Sequence, residues 1–539
     1  MHSRVPLVEP MLPAGARAVL GTAAEHASCA GLRVVGWHGD DGAVALGCDL
    51  DGHEVTASLD NGGQEFSEWR TQATCGLMGI HGRSHGRPTP IGLPYISAMV
   101  GTLAATGAAA GALAAADGAA VSRVRTSVRR SALLSVSQYL AAATAEEGAE
   151  RITPAADTAG CRPPLLSSDG VRFEVEILTP EVWAAFWSGM DAPVGAVNAS
   201  WRTYLLRYAR ALTDLDVGLE HAARRKTFAE IQTIGSASGA SLCRVRGLDE
   251  CRADPGLRLA DPAFSPWVLS ERCAGTAHLR AGRTRTASPP LAGLRVVEST
   301  RRMQGPLASL LLQLLGAEIT RIEPPGGDPL RWMGAMAHGT SARFVALNHG
   351  KSVVEIDLKS RSGRAATLEA VRDADVFLHN WAPQKAAELR LDSGDMFEVN
   401  PRLVYAYASG WGDLFGDQNP PLGTDFMVQA YSGVASALAA DEPAPSLMTL
   451  LDMYGGAISA GGILGGLIAT RRGGSGVRVD TSLISAAAAL LRLGARHQME
   501  PCGSAQCESV DDLSTLPARY PGDFGDEGCA VVRSPWSFE

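Results

Sequence analysis

Two stretches of this chain, residues 88–116 and 453–470, carry no charged side chain and are built mainly from Ala and Gly. A run of that length passes the length test for a membrane span, but it holds little Leu, Ile or Phe to drive insertion. Small side chains let backbones approach closely, so each run is expected as a helix packed inside the protein. The two runs also share their surroundings. WRTQATCGLMGIHG (69–82), the small-residue run within 93–118 and VSRVRTSVRRSALLSVSQYL (121–140) follow one another in the first half. TDFMVQAYSGVASAL (424–438), LDMYGGAISAGGILGGLIATRRGG (451–474) and VRVDTSLISAAAALLRL (477–493) follow in the same order in the second. A repeat of this length implies duplication and fusion, with two halves packed pseudo-symmetrically in one chain and homodimer formation also open. The other reading is that two Ala-rich helices look alike by composition alone.

A chain of 539 residues exceeds one ordinary core, so at least two domains are expected. At 46% hydrophobic and 19% charged it is globular rather than disordered. A net charge of −9 argues against a nucleic-acid partner, which would call for a basic face. The ten cysteines are scattered without CxxC pairs, which favours buried thiols in a reducing cytoplasm over a disulfide framework or a metal site. No charged n-region with an apolar run and cleavage site opens the sequence, so a cytoplasmic protein without a membrane partner is expected.

Past residue 290 the pattern becomes an alternation of strands and helices. LRVVEST (294–300), AEITRIE (317–323), SVVEIDL (352–358), DVFLHNW (375–381) and LVYAYASGW (403–411) read as strands, and GPLASLLLQLLG (305–316) and SRSGRAATLEAVRDA (360–374) as helices. That spacing predicts an α/β fold with a parallel sheet covered on both faces. The loop after the first strand, STRRMQGP, lacks GxGxxG, so an NAD site has no fingerprint here.

Asp452 is the carboxylate that stands out. It lies between Leu450-Leu451 and MYGGAISAGG, at the glycine-rich start of the second small-residue helix. An aspartate there can serve as a simple N-cap. It can also serve as a nucleophile: Gly455 and Gly456 keep side chains out of the first turn, leaving room for a bulky thioester, and free N–H groups there could hold an oxyanion.

Eight pieces of the second half carry a family resemblance in order: LAGLRVVEST, GPLASLLLQLLGAEITRIEPPGGDPLR, LNHGKSVVEIDLKSRSGR, ADVFLHNWAP, NPRLVYAYASGWG, TDFMVQAYSG, LDMYGGAISAGGILGGL and GVRVDTSL. Together they resemble the large domain of family III CoA-transferases (the CaiB/BaiF, formyl-CoA transferase-like group). The resemblance implies a Rossmann-like large domain, a smaller domain and an interlocked pseudo-dimeric fold. It also implies an aspartate nucleophile, matching Asp452, that exchanges acyl groups as anhydrides and as a CoA thioester, with coenzyme A entering as acyl-CoA and no metal or NAD required. The partners implied are an acyl-CoA and a free carboxylic acid. By motif position Asn380, Trp381 and Trp411 lie along the expected adenine and pantetheine path. Arg321, Arg331, Lys351 and Arg390 are candidates for the CoA phosphates, with a solvated surface charge the alternative for each. Gln304, before Gly305-Pro306, lies in the turn after the first strand and is a candidate donor to an acyl oxygen, one residue out of the family register.

Departures matter as well. The family's Asn-Phe-x-Pro-Gly is Asn-Trp-Ala-Pro-Gln here (380–384). Racemases of the superfamily carry a His where this chain has Thr424, which removes one of two bases needed for α-proton exchange. A 2-methylacyl-CoA racemase and an inactive acyl-CoA-binding scaffold are therefore the alternatives. In the first half no Asp or Glu occurs between Glu68 and Asp117, and the position corresponding to Asp452 falls on Pro94, Tyr95 or a close neighbour. The organisation expected is a degenerate large-domain-like half (1–160), a small α+β domain (161–277), a linker (278–290), a catalytic large domain (291–499) and a tail (500–539) that begins a truncated small domain.

Overall fold

The computed structural model describes residues 14–40, 43–151, 160–272, 289–416, 418, 420–439, 442–497, 499 and 509–539. Nearly all of the expected linker 278–290 lies outside these residues.

The second half is built on a seven-stranded sheet. Its order is Ser352–Glu355, Glu318–Glu323, Arg295–Ser299, Val376–His379, Val404–Ser409, Val477–Ser482, Trp267–Arg272. Neighbours run parallel except the last pair. After the edge strand Trp267–Arg272 the chain enters the middle at Arg295–Ser299, fills the far edge and then crosses back to the other side. The loops after Arg295–Ser299 and Val376–His379 therefore part at a topological switch point, where open α/β sheets take their ligands. One face of the sheet packs Phe377 and Tyr405 against Val371, Met396 and Phe397. The other lies under two helices, Gln304–Leu314 and Leu450–Gly473. The long helix lies close to the strands: a Cβ on Gly466 would stand 2.7 Å from Val479 and 2.9 Å from Val404, so no larger residue fits there.

The first half differs from the parallel sheet expected of a second large domain. Its sheet has five strands in the order Arg33–Asp40, Ala43–Leu50, His53–Asp60, Arg123–Ser127, Trp536–Phe538. Only the pair His53–Asp60 and Arg123–Ser127 is parallel. For the first three strands the cause is in the sequence: they follow one another across short turns, and tight turns permit only antiparallel neighbours. Helix Tyr95–Ala116 covers this sheet and packs on Leu450–Gly473 across the middle of the molecule. Both helices are long and apolar enough to cross a membrane, and both are buried inside the protein.

An offset of 355 residues lays the first small-residue helix and the strand after it onto the second. It carries Tyr95 to Leu450, Gly107 to Gly462 and Thr126 to Thr481. Trp536 pairs with Thr126 in one sheet as Trp267 pairs with Thr481 in the other. Each indole lies on its helix, Trp536 against Gly107 and Trp267 against Gly462. Two expectations are corrected by this pairing. Trp267–Arg272, placed in the small domain by sequence, is the edge strand of the seven-stranded sheet. The tail does not begin a second small domain; its described end supplies the edge of the five-stranded sheet. In each case an added strand satisfies backbone groups that an open sheet edge would leave unpaired.

Between these edges, a three-stranded antiparallel sheet (Leu165–Leu166, Arg172–Glu176, Ser241–Arg244) carries helices Pro180–Gly189, Val194–Arg210, Val217–Ala223 and Phe228–Ser238. Its aromatic core of Phe173, Trp183, Phe186, Trp187 and Tyr204 is separate from the main core.

Candidate active site

Helix Leu450–Gly473 begins abruptly after Thr449, whose backbone sits in the left-handed region at φ +56° and whose side chain does not cap the helix. Asp425 supplies the cap instead. This residue opens helix Asp425–Ser432, and its Oδ2 accepts from the Asp452 N–H at 2.7 Å while the Leu451 N–H also donates to its carboxylate. Gln429, one turn on, donates to the same carboxylate and fixes the preceding loop through Ser446 N–H (2.8 Å) and Ser446 C=O (3.0 Å). The Asp452 side chain is thereby relieved of the N-cap role that its position first suggested. Among the described residues no hydrogen bond reaches its carboxylate. From Leu450 to Gly466 every residue is buried except Asp452.

The half-buried Asp452 carboxyl sits among these buried neighbours, which strip most of the water from it. The Asp452 carboxyl is pushed well above the ordinary carboxylate range, first by loss of water, then by the negative charges of Asp425 and, more weakly, Glu176; Arg302 acts in the opposite direction. Asp425 is raised by burial too, but three N–H donors hold it lower. Arg302 is exposed on the loop after the first strand, with φ +65°. Strained backbone of this kind persists only where surrounding structure fixes it.

Gln304 starts the helix Gln304–Leu314 and is buried, with its Nε2 at 3.5 Å from the Ser409 carbonyl. A Cβ on Gly455 would stand 3.2 Å from that amide nitrogen. Gly455, one turn after Asp452, thus leaves the glutamine its place over the first turn of the helix. Gly456 has a different task from the one expected. Its bare Cα meets the Gln304 carbonyl and Leu307, with a Cβ at 2.8 and 2.9 Å, so it lets two helices touch rather than making room for a thioester. The expected oxyanion donors are also revised: the Leu451 and Asp452 N–H groups are spent on Asp425, which leaves the Gln304 amide as the weakly engaged donor of the site.

The candidate CoA residues divide. Arg321 is 1% exposed, bound to Glu298, Glu323 and Asp328. Lys351 has no exposed side-chain surface; its Nζ reaches Glu298, Pro306, Ser309 and Asn348. Burying a cation requires paired carboxylates around it, and this network supplies them, so both are removed from the phosphate set. Trp411 is likewise buried, its indole N–H on the Pro421 carbonyl and its ring against Phe415 and Tyr431. At the switch point, by contrast, Asn380 clamps the first loop through both the N–H (2.9 Å) and C=O (2.7 Å) of Arg301. Trp381 is half-buried there, donating to Ser299 and lying on His379. Arg331 binds Glu323 through two nitrogens and keeps 24% exposure, and Arg390 is exposed. Asp425, Arg302 and Glu176 were not singled out from the sequence; the first had a legible signal in its Asp-x-x-x-Gln spacing at a helix start.

The first half repeats this cage with altered chemistry. Glu68, also at a helix start, accepts from Ile96 N–H (2.7 Å) and Ser97 N–H (2.8 Å), and Gln72 joins it to Ile91 as Gln429 joins Asp425 to Ser446. The position of Asp452 is held by Ser97, two residues beyond Tyr95, whose hydroxyl is turned onto Glu68 at 2.7 Å.

A family description, CoA-transferase family III, matches residues 68–263 and 291–509. The chain belongs to that family. It is 35% identical over 211 residues to acetyl-CoA:oxalate CoA-transferase of Acetobacter aceti, a match covering 38% of this chain and 53% of that protein. It is 30% identical to succinyl-CoA:glutarate CoA-transferase of Mus musculus (40% and 51% covered) and 31% identical to formyl-CoA:oxalate CoA-transferase of Streptomyces coelicolor (44% and 56%). The chain spans about half the length of these curated relatives. Among solved structures, a CaiB/BaiF family protein from Brucella suis is 30% identical, with 38% of this chain and 56% of that one covered and a TM-score of 0.35.

Proposed function

We propose that this protein moves CoA from an acyl-CoA to a free carboxylic acid, with Asp452 as covalent carrier. The observation that carries the reading is the uncapped, partly accessible Asp452 carboxylate at a helix entrance whose capping is done by another acid. In the first step an Asp452 oxygen attacks the thioester carbonyl, the C–S bond breaks, and an aspartyl–acyl anhydride and CoA thiolate result. The thiolate attacks the aspartyl carbonyl, releasing the donor acid and leaving an aspartyl-CoA thioester. The acceptor carboxylate then displaces the thiolate as a new anhydride. Finally the thiolate takes the acceptor's acyl group and frees Asp452. A raised carboxylate is the stronger nucleophile once ionised, and the Gln304 amide is placed to donate to the carbonyl oxygen as charge builds on it. Asn380, Trp381, Arg331 and Arg390, around the switch point, are assigned to CoA.

The two halves are read as fused copies, with Ser97 and Glu68 marking a retired site and the small domain of the first copy placed beside the live site of the second. The test is hydroxylamine trapping during turnover: one hydroxamate per chain, at Asp452, is expected. Deuterium wash-in at the α-carbon without acceptor acid would favour racemisation instead, a reaction for which Thr424 supplies no base.

A further inference from the structure

The small domain brings a third carboxylate to this site. Glu176 ends strand Arg172–Glu176, which packs on helix Asp425–Ser432. It is fully buried, with Oε1 accepting from the Tyr208 hydroxyl at 2.8 Å and Oε2 without a hydrogen-bond partner among the described residues. An orphaned buried carboxylate oxygen is costly and calls for a reason. The adjacent cation does not supply one. Arg207 binds Glu174 at 2.8 Å and lies over Phe426, the residue after Asp425. The charges around the site are Asp425, Asp452 and Glu176 against Arg302, while Arg207, bound to Glu174, also attracts Glu176. Glu176 is felt at Asp452 and at Asp425, raising both.

We propose that Glu176 is a specificity-determining residue whose fixed negative charge makes this site select acceptor acids with a single carboxylate and reject dicarboxylates. The inference rests on the transferase reading above. An acceptor binds as an anion, and its reacting carboxylate is neutralised when it becomes an anhydride. A second carboxylate keeps its charge throughout and meets the Asp425–Glu176 pair in a site stripped of water, where unlike partners are rejected by repulsion as much as by poor fit. The penalty falls on acceptor binding, so it is expected in KM rather than kcat.

The experiment uses the full chain with acetyl-CoA as donor, comparing propionate and butyrate with oxalate, succinate and glutarate by mass spectrometry of the acyl-CoA products. For the unaltered protein kcat/KM is expected to favour the monocarboxylates by about 10- to 100-fold. Glu176→Gln keeps the shape and removes the charge, and is expected to bring the two classes within about 3-fold, chiefly through the dicarboxylate KM. Tyr208→Phe keeps the charge and should keep the preference. Oxalate or glutarate accepted as readily as propionate by the unaltered protein overturns the proposal, whether or not the Gln variant folds. So does an unchanged preference in Glu176→Gln, or an equal collapse in Tyr208→Phe, which would make the Tyr–Glu pair merely structural. Transfer to no acid, with no hydroxamate at Asp452, would instead sink the transferase reading itself.

Discussion

Two helix entrances in this molecule are made of the same parts, and only one is left with an unspent acid. At Leu450–Gly473 an aspartate, Asp425, caps the helix and a second, Asp452, stays free. At Tyr95–Ala116 the longer Glu68 caps the helix and takes the Ser97 hydroxyl as well, so that every polar group is satisfied. The difference is a trade of stability for reactivity. The first-half cage is a closed hydrogen-bonded network, whereas the second holds two carboxylates whose repulsion the fold must bear.

The largest effect should come from removing the free acid. Asp452→Ala is expected to lower CoA transfer by at least about 10³-fold and abolish the trapped hydroxamate, while Ser97→Ala leaves both in place. Ser97→Asp sharpens the comparison: it puts an acid at the first-half entrance without the rest of the site, so no hydroxamate should appear at residue 97 in a peptide map. Next in size is the capping acid. Glu68→Leu orphans the Ile96 and Ser97 N–H groups and the Gln72 amide, and should cost about 3 kcal/mol by denaturant unfolding, against about 1 kcal/mol for Ser97→Ala. The close helix contacts come third. Gly107→Ala forces a Cβ to 2.5 Å from Trp536 and Gly456→Ala forces one to 2.8 Å from the Gln304 carbonyl, each worth about 1–3 kcal/mol. Of the two, only Gly456→Ala should also slow transfer, because it moves Gln304.

The smallest effect concerns pH. The native Asp452 carboxyl is raised by burial and by Asp425, above its unfolded value of about 3.9. The native state therefore holds the proton more tightly, and the stability this provides is present in acid and lost as pH rises from that value toward neutrality. Asp452→Asn should thus raise the melting temperature near neutral pH, by on the order of 1 kcal/mol in stability, and lose that gain on acidification. A gain that does not depend on pH would mean the two acids do not repel one another.

The parallel sheet of the second half and its switch-point loops were legible from the alternation of short apolar runs with helical periods. Asp452 drew attention as a lone acid at a glycine-rich helix start, but the residues alone favoured an N-cap, and the family resemblance was needed to single it out as a nucleophile. The buried ion network around Glu298 was not. Arg321 and Lys351 sit in strand and turn contexts that look solvent-facing, and only the approach of Glu298 to both, and of Glu323 and Asp328 to Arg321, shows that their charges are already paired. The fate of residues 524–538 was equally hidden, because a strand's partner is a matter of register and edge availability rather than of its own sequence.

What the amino-acid order determined by itself is the local grammar: two small-residue helices and the strands beside them. Those depend on interactions within a few residues or on side-chain size, which the chain carries with it. What only the tertiary structure decided is which acid is free. Asp425 and Asp452 lie 27 residues apart, and the sequence singled out only the second as a helix-start carboxylate. The fold assigns one to the cap and leaves the other half-buried without a hydrogen bond, because a hydrogen bond between distant segments can satisfy a helix end only once packing has brought them together.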